Sequence, residues 1–324
     1  MTAQPLPPVW FERVIPSELL PEVAAAVTIL GPSTADDPYA GLAAARAAVA
    51  STLRYDATVM DRAPELRLIA RTGIGYDLVD VAEATRRGIA VCNTPDAPTI
   101  STAEHAATLI MMVAKDVKGA ESRLRAGGGS YYARHTGIEL DGKVLGLVGF
   151  GRIARRLAAI CQGIGMRVAT YDPFVPDDDV PADVTRVATL EELLRGADVV
   201  SVHVPLSDAS RGMFGAEQFE QMRPGAVFIN TARGGLVDGD ALLETLVRGH
   251  LFGVGLDVTD PEPLPPDHPL LQRLDVVITP HIASATAESK VRIFRSAFAQ
   301  VVSALAGRRP DHLVNPEVWG GGER

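Results

Sequence analysis

The hydrophobic residues of this 324-residue chain fall into short apolar runs with helical stretches between them. From residue 144 onward the runs are regular, and they predict strands at 144–149, 167–171, 198–204, 226–230, 253–257 and 276–279. Helical segments lie between most of these strands. Because alternating strands and helices are typical of parallel sheets, this part of the chain predicts an α/β fold with a doubly wound parallel sheet.

The first hundred residues show a similar but less regular alternation. Strands are predicted at Val9–Val14, Ala26–Leu30, Ala57–Met60, Leu66–Arg71 and Ile89–Cys92. The alanine-rich segment Tyr39–Ala50 predicts a helix. This pattern indicates a second, smaller α/β domain.

Two long helices are predicted outside these strands. Ser101-Thr102-Ala103-Glu104 has the form of a capping box, so a helix should begin near Ser101, and Gly127-Gly128-Gly129 should follow its end. Apolar residues recur at helical spacing over Glu288–Leu305, which predicts the last helix.

A glycine turn lies at the start of the regular strands. The apolar run from Val144 opens onto Gly149-Phe150-Gly151-Arg152-Ile153-Ala154, and the next strand ends on Asp172. Gly149 allows a tight turn, Gly151 lets the backbone approach a diphosphate, and Ala154 lets the helix pack closely on its strand. The helix N-terminus offers N–H groups to phosphates.

The acid after the second strand adds to this motif. Asp172 follows Gly149 by 23 residues. This is close to the spacing of about 20 residues for a carboxylate that binds the adenosine ribose of a dinucleotide. A carboxylate there accepts hydrogen bonds from ribose hydroxyls and repels a 2′-phosphate. The motif therefore predicts dinucleotide binding, with NAD favoured over NADP.

Composition narrows the classes of function. The net charge of −9 and the pI near 5.3 argue against nucleic-acid and anionic-membrane partners, which need a basic surface. Cys92 and Cys161 form no CxxC pair, so neither a disulfide framework nor a metal site is expected. The start lacks a signal-peptide pattern, and no apolar run reaches the roughly 18 residues of a membrane span. We expect a soluble cytoplasmic protein of two domains.

Polar and glycine residues follow the predicted strands of the second half. In chain order they are Gly149, Asp172, Val204-Pro205, Thr231-Ala232-Arg233, Asp257 and Pro280-His281. Open parallel sheets bind ligands outside the carboxyl ends of their strands. This edge of the sheet is therefore the candidate active site.

Three side chains there fit the reduction of a 2-oxoacid. Arg233 offers a fixed fork to a carboxylate or a ketone oxygen. His281 supplies the proton that a developing alkoxide needs, and Glu262, in Asp260-Pro261-Glu262-Pro263, stabilises the imidazolium if it binds the other ring nitrogen. Taken singly, each also has an ordinary interpretation as a surface arginine, a loop acid or a structural histidine.

Other histidines and glycines are less distinctive. His105 and His135 have no partner nearby in sequence, and we interpret them as structural or solvated. The segment 71–77, with Gly73, Ile74 and Gly75, is either a backbone nest for a carboxylate or a simple turn.

The assembled motifs resemble those of the D-isomer-specific 2-hydroxyacid dehydrogenases, the family of D-lactate, D-3-phosphoglycerate and glyoxylate/hydroxypyruvate enzymes. The resemblance covers about residues 45–285 and consists of GLVGFGRIARRLA, ATYDP, VVSVHVPL, FINTARGGLVD, GLDV, DPEP and TPHIAS in family order. It implies a catalytic trio of Arg233, Glu262 and His281. It also implies that the backbone at Ile74 and Gly75 holds the substrate carboxylate, with Arg233 and His281 contacting the substrate.

The resemblance also implies the rest of the cofactor site and the domain plan. Its cofactor contacts are Gly149, Gly151, Arg152, Ile153, Asp172, Val204, Thr231, Ala232, Asp257 and Thr102, where Asp257 and the Thr231 and Ala232 carbonyls meet the nicotinamide amide. The implied plan is a Rossmann cofactor domain of residues 101–284 inserted into a flavodoxin-like substrate domain of residues 1–100 and 285–324. A homodimer through the cofactor domain is also implied.

Several alternatives remain at this point. A dinucleotide-sensing corepressor or scaffold of the same fold would keep these motifs. A phosphate-bearing substrate is in doubt, because Ala50-Ser51-Thr52-Leu53 stands where the phosphoglycerate branch often has Arg-Ser-x-Thr, although Arg54 and Arg71 are nearby. A P-loop at Gly137–Lys143 is rejected, because Val144 follows it and a strand comes after it rather than before.

Overall fold

The computed structural model describes residues 5–127 and 129–320. The chain divides into two compact units, one of Met1–Pro98 with Thr286–Arg324 and one of Thr99–Ala285. The sequence placed the crossings near Ile100 and Ser284. Of the predicted glycine break, Gly128 lies outside the described residues.

The strands and helices of the described residues are numbered in chain order. The strands are β1 Pro8–Phe11, β2 Thr28–Leu30, β3 Ala47–Ala50, β4 Leu68–Arg71, β5 Ala90–Cys92, β6 Val144–Val148, β7 Arg167–Tyr171, β8 Val184–Arg186, β9 Val199–Val202, β10 Ala226–Asn230, β11 Leu251–Leu256 and β12 Val276–Ile278. The helices are α1 Leu20–Ala26, α2 Ala57–Asp61, α3 Val81–Arg86, α4 Thr99–Ala114, α5 Val117–Ala126, α6 Tyr131–Arg134, α7 Arg152–Gln162, α8 Leu190–Gly196, α9 Ala216–Gln221, α10 Gly239–Val247, α11 Pro269–Gln272 and α12 Ala287–Leu305.

The first unit is built on a five-stranded parallel sheet in the order β2-β1-β3-β4-β5. This is the strand order of flavodoxin-like folds. Strand β3 is buried along its whole length, and apolar clusters cover both faces of the sheet. One cluster includes residues of α1 and α12, and the other includes residues of α2 and α3.

The second unit is built on a seven-stranded parallel sheet in the order β12-β11-β10-β9-β6-β7-β8. The strand order reverses between β6 and β9, which is the switch point where doubly wound sheets bind ligands. Helices α4 and α7 contribute to the apolar cluster on one face, and α8, α9 and α10 to the cluster on the other. The predicted α/β class and Rossmann sheet are confirmed.

Two predictions in the first unit are wrong. Tyr39–Ala50, predicted as a helix, contains a 3₁₀ turn at Leu42–Ala44 and then strand β3. Alanine favours helices, but β3 is buried between β1 and β4, and this tertiary pairing overrides the local preference. Ala57–Met60, predicted as a strand, belongs to α2, where the Asp56 carboxylate accepts the N–H of Val59 at 3.1 Å and caps the helix.

The bounds of other helices and strands differ from the predicted ones. Helix α4 begins at Thr99, so Ser101 lies within the helix and is not its cap. The helix ends at Ala114, well before the glycines, and a separate helix α5 ends at Ala126, directly before Gly127. Strand β8 was missed because it has three residues, of which Val184 alone is buried.

Candidate active site

The glycine turn after β6 fits a dinucleotide diphosphate. Gly149 has φ +90°, and a Cβ there would lie 2.8 Å from the carbonyl oxygen of His203 and 2.9 Å from Cγ1 of Val204. Glycine is therefore required at this position, and Val204 lies beside the turn. At Gly151 a Cβ would meet no atom of the described residues within 4 Å, so the backbone is open to a ligand. Gly151 also gives α7 no side-chain cap, which leaves its first N–H groups for phosphate oxygens.

The carboxylate of Asp172 is fixed beside this turn. Its Oδ2 accepts the N–H of Phe150 at 2.8 Å, and its Oδ1 accepts the N–H of Phe174 at 2.8 Å. A carboxylate held by both oxygens keeps further lone pairs for ribose hydroxyls. The position and chemistry of Asp172 therefore fit an adenosine ribose next to the diphosphate.

The turn after β10 presents Arg233. The buried Asn230 clamps this turn, because its Nδ2 donates to the Arg233 carbonyl at 2.8 Å and its Oδ1 accepts the Ala232 N–H at 2.9 Å. A Cβ on Gly234 would lie 2.0 Å from the carbonyl oxygen of Thr259, so glycine is needed for the close approach to the segment that carries Glu262.

Two neighbours of Arg233 are relevant to the cofactor assignment. Nη1 of Arg233 donates to the Ala232 carbonyl at 2.7 Å, so this oxygen already has a donor. The hydroxyl of Thr231 is buried and has no hydrogen-bond partner among the described residues. A buried polar atom of this kind fits a position next to a bound polar group.

His281 and Glu262 form a close pair. Nδ1 of His281 lies 2.6 Å from Oε1 of Glu262, and the side chains are 47% and 38% exposed. An ionised carboxylate only accepts hydrogen bonds, so Nδ1 carries the proton of this bond. The carboxylate therefore fixes the ring orientation and leaves Nε2 to face a ligand. This is the arrangement of a histidine that exchanges a proton at Nε2.

The backbone of His281 is in a conformation that L-residues rarely adopt. Its φ is +53°, in the left-handed region, which costs roughly 1–2 kcal/mol for a residue with a Cβ. The His281 N–H donates to the Asp257 carbonyl at 2.8 Å, while Asp257 Oδ1 and Oδ2 accept the N–H groups of Ile282 and Ala283, both at 2.8 Å. Asp257 therefore holds the loop that displays His281.

The Asp257 carboxylate is completely buried and charged. Burial alone would raise its pKa, but hydrogen bonds from His105, Thr279, Ile282 and Ala283 outweigh this effect and lower the pKa below its usual value. Its oxygens are directed at the loop 279–283. The contact with a nicotinamide amide that the sequence predicted stays a prediction.

In the other unit, the loop after β4 is held by hydrogen bonds to its backbone. Thr94 Oγ1 accepts the Gly73 N–H at 2.8 Å and the Thr94 N–H donates to the Gly73 carbonyl at 2.9 Å. The Ile74 carbonyl accepts from Asn93 Nδ2 at 2.8 Å, and the Gly75 carbonyl accepts from Arg71 Nε at 3.0 Å. Three successive carbonyl groups are thus engaged, which fixes the orientation of the peptide groups at Ile74 and Gly75.

Most of the predicted site residues follow strands of the seven-stranded sheet. Arg152 and Ile153 lie in the first turn of α7, and Thr102 is buried near the start of α4. Ile74 and Gly75 lie in the other unit. The sequence had assigned no role to three residues that hold the loops, namely Thr94, Asn230 and Thr279, and His105 was interpreted as structural or solvated. The position of Asn230 and Thr279 at strand ends was the available signal.

The chain matches a known protein family. Residues 107–283 match the model of the D-isomer specific 2-hydroxyacid dehydrogenase NAD binding domain. The chain belongs to this family. It is therefore a 2-hydroxyacid dehydrogenase that uses a nicotinamide dinucleotide.

Two relatives of this chain are named for different substrates, and a solved structure is also similar to it. The chain is 41% identical to glyoxylate reductase of Korarchaeum cryptofilum, over 81% of this chain and 80% of that protein. It is 38% identical to D-3-phosphoglycerate dehydrogenase of Archaeoglobus fulgidus over 82% of this chain, which spans only 50% of that longer protein. The crystal structure of the TT0316 protein from Thermus thermophilus matches with a TM-score of 0.87 and 38% identity, covering 95% of this chain and 99% of that one.

The length and polarity of the helices bear on whether any of them could span a membrane. Within residues 5–127 and 129–320, every helix is too short or too polar to cross a bilayer.

Proposed function

We propose that this dehydrogenase interconverts a 2-oxoacid and a D-2-hydroxyacid with NAD, and that His281 is its general acid and base. The observation that carries the proposal is the 2.6 Å bond between His281 Nδ1 and Glu262 Oε1, which orients the ring and leaves Nε2 to exchange a proton. General acid catalysis of this kind contributes about 10²–10⁴ to a rate.

The residues of the chain have different roles in the reduction. When bound, the reduced nicotinamide supplies hydride to C2 of the oxoacid. His281 then donates the Nε2 proton to the oxygen that becomes the hydroxyl, and Glu262 stabilises the imidazolium before the transfer. Arg233 holds the ketone oxygen and the neighbouring carboxylate with its planar fork. The N–H groups of Ile74 and Gly75 bind the carboxylate.

The cofactor assignment follows the geometry of the glycine turn. Gly149, Gly151, Arg152 and Ile153 would hold the diphosphate, and Asp172 would accept from both ribose hydroxyls. The fixed carboxylate of Asp172 repels a 2′-phosphate, which supports NAD over NADP. The remaining proposed contacts, mostly around the nicotinamide, are Val204, Thr231, Ala232, Asp257 and Thr102.

A carboxylate in the first unit supports a substrate with an uncharged side group. Glu12 follows β1 and accepts the N–H groups of Ser51, Thr52 and Leu53, the last at 3.1 Å. These residues follow β3, whose neighbour β4 leads into the loop at Ile74 and Gly75. The N–H groups of Ser51–Leu53, which would otherwise suit an anion, are therefore occupied by a negative charge.

Small 2-oxoacids whose substituent on C2 is uncharged, such as glyoxylate, hydroxypyruvate and pyruvate, are consequently favoured over phosphohydroxypyruvate. Like charges nearby disfavour binding of an anionic substituent. The glyoxylate reductase named above reduces a substrate of the favoured kind.

Oligomeric state and compartment stay predictions from the sequence. We expect a homodimer formed through the cofactor domain in the cytoplasm. Analytical ultracentrifugation of the purified chain tests the dimer, which a sedimentation coefficient of a monomer would contradict.

The function is tested by steady-state oxidation of NADH and NADPH with a panel of 2-oxoacids. We expect turnover with at least one small 2-oxoacid that has an uncharged substituent, a D-2-hydroxyacid product, and a higher kcat/KM with NADH. Binding of NADH without turnover of any 2-oxoacid would refute the proposal and favour a dinucleotide-sensing role.

A further inference from the structure

A hydrogen-bonded chain of side chains runs from α4 to the loop that carries His281. Nε2 of His105 lies 2.8 Å from Oγ1 of Thr279, and this hydroxyl lies 2.6 Å from Oδ1 of Asp257. The same Nε2 is 3.4 Å from Asp257 Oδ1. All three residues belong to the unit Thr99–Ala285.

The direction of these bonds follows from counting protons. The charged carboxylate of Asp257 only accepts, so the 2.6 Å bond uses the single hydroxyl proton of Thr279. Thr279 must then accept from His105, which fixes the His105 proton on Nε2. The chain is therefore directed from His105 through Thr279 to Asp257.

Asp257 connects these bonds to the loop that carries His281. Its two oxygens accept the N–H groups of Ile282 and Ala283, each at 2.8 Å, directly after the strained left-handed backbone of His281. A rotation of the carboxylate would release both bonds together. The loop conformation at His281 thus depends on the orientation of the Asp257 carboxylate, which Thr279 and His105 set.

We propose that Thr279 and His105 are positioning residues that align His281 for proton transfer by locking the Asp257 carboxylate onto the loop 279–283. The kinetic part of this inference rests on the proposed role of His281 as the proton donor. Its structural part, the locking of the loop, is independent of that role. The Thr279 carbonyl accepts the His281 N–H at 3.0 Å, but among the described residues the side chains of Thr279 and His105 form no hydrogen bond with the side chains of His281 and Glu262.

The decisive variant is Thr279→Val, which keeps the shape of the side chain but removes the hydroxyl. Thr279→Ser is its matched control, because it restores the hydroxyl without the methyl group. We expect Thr279→Val to lower kcat for 2-oxoacid reduction about tenfold, to raise the solvent deuterium isotope effect on kcat, and to change the Kd for NADH by a smaller factor than kcat. Such a loss is a fraction of the 10²–10⁴ that general acid catalysis supplies. Thr279→Ser should recover most of the rate.

A second measurement does not depend on activity. Amide hydrogen exchange at Ile282 and Ala283 should accelerate in Thr279→Val and stay close to the unmodified protein in Thr279→Ser. His105→Leu should accelerate the same amides, and His105→Gln, which can donate from Nε2, should restore them in part. Thermal unfolding confirms that each variant is folded at the assay temperature.

The outcomes separate the two proposals. An unmodified protein that reduces no 2-oxoacid refutes the proposed function, whatever the exchange data show. If that protein is active, unchanged exchange at Ile282 and Ala283 in Thr279→Val overturns the inference. So does a Thr279→Ser variant as slow as Thr279→Val, or a loss confined to NADH affinity.

Discussion

The two parallel sheets of this chain use their carboxyl edges in different ways. The seven-stranded sheet presents reactive side chains after its strands, among them Asp172, Arg233 and His281. The five-stranded sheet presents backbone, because the loop after β4 has three carbonyl groups engaged and the loop after β3 has its N–H groups bound by Glu12. The first edge carries the side chains that we propose for catalysis, and the second carries the backbone N–H groups of Ile74 and Gly75 that we propose for binding the substrate carboxylate.

This difference predicts different kinetic signatures. Interactions formed mainly in the transition state lower kcat when they are lost, whereas interactions shared with the bound substrate raise KM. Variants of Arg233 and His281, which we propose to act on the ketone oxygen, should therefore lower kcat, and variants of the loop at Ile74 and Gly75 should raise KM for the 2-oxoacid.

The largest expected effect is that of His281→Ala. Removal of the imidazole takes away the proton donor, so kcat for 2-oxoacid reduction should fall about 10²–10⁴-fold. The Kd for NADH, measured by its fluorescence, should change little. An unchanged kcat would assign the proton to another group and remove the contrast between the edges.

Arg233→Lys should come next, with kcat/KM lowered about 10²-fold. A lysine keeps the charge, but its ammonium cannot form the two parallel bonds of the guanidinium fork. The exposed Arg248, paired with Glu220, provides the control Arg248→Lys, which should be neutral. Equal kinetics in both variants would show that the fork of Arg233 contacts no substrate.

Asp172→Ala should change the choice of cofactor about tenfold. The variant loses the acceptor for ribose hydroxyls and the repulsion of a 2′-phosphate, so KM for NADH should rise and the preference over NADPH should shrink. Asp172→Asn keeps an acceptor and should relax the preference with a smaller rise in KM. A preference that stays the same in both variants would place the ribose away from this carboxylate.

Thr94→Val tests the other edge. It removes the acceptor of the Gly73 N–H, so the loop at Ile74 and Gly75 should lose its fixed orientation. We expect KM for the 2-oxoacid to rise about fivefold to tenfold with little change in kcat, a loss of about 1 kcal/mol of binding. Thr94→Ser is the matched control. A fall in kcat at constant KM would contradict the division between the edges.

The smallest effect is expected for Glu12→Gln. Loss of this charge should raise kcat/KM for phosphohydroxypyruvate relative to hydroxypyruvate about threefold to fivefold, because a repulsion near the protein surface is largely screened. The variant Glu65→Gln, at an exposed position, makes the same change of net charge elsewhere in the unit. An equal ratio in both variants would show that Glu12 plays no part in substrate choice.

The same contrast explains what the sequence could predict. The fold class, six of the seven strands of the larger parallel sheet and the glycine turn could be predicted, because strand periodicity and the pattern of Gly149, Gly151 and Asp172 have direct physical causes. The pairing of His281 with Glu262 was inferred from chemistry, and the structure places the two side chains 2.6 Å apart.

Features that depend on tertiary pairing were not legible. The helix propensity of alanine favoured a helix where the alanines of β3 form a strand. The Asp56 side chain that caps α2 was not recognised as a helix start. The roles of Thr94 and Thr279 depend on partners 21 and 22 residues away in the chain. No local sequence pattern predicts hydrogen bonds between residues so far apart in the chain.

The most direct test of the central claim is a crystal structure of the protein with NAD and oxamate, a non-reactive analogue of a 2-oxoacid. The measured quantity is the distance from His281 Nε2 to the amide carbonyl oxygen of oxamate, which stands for the ketone oxygen. We expect about 2.6–3.2 Å, with Nδ1 still bonded to Glu262. Oxamate bound with this oxygen directed away from His281 would contradict it.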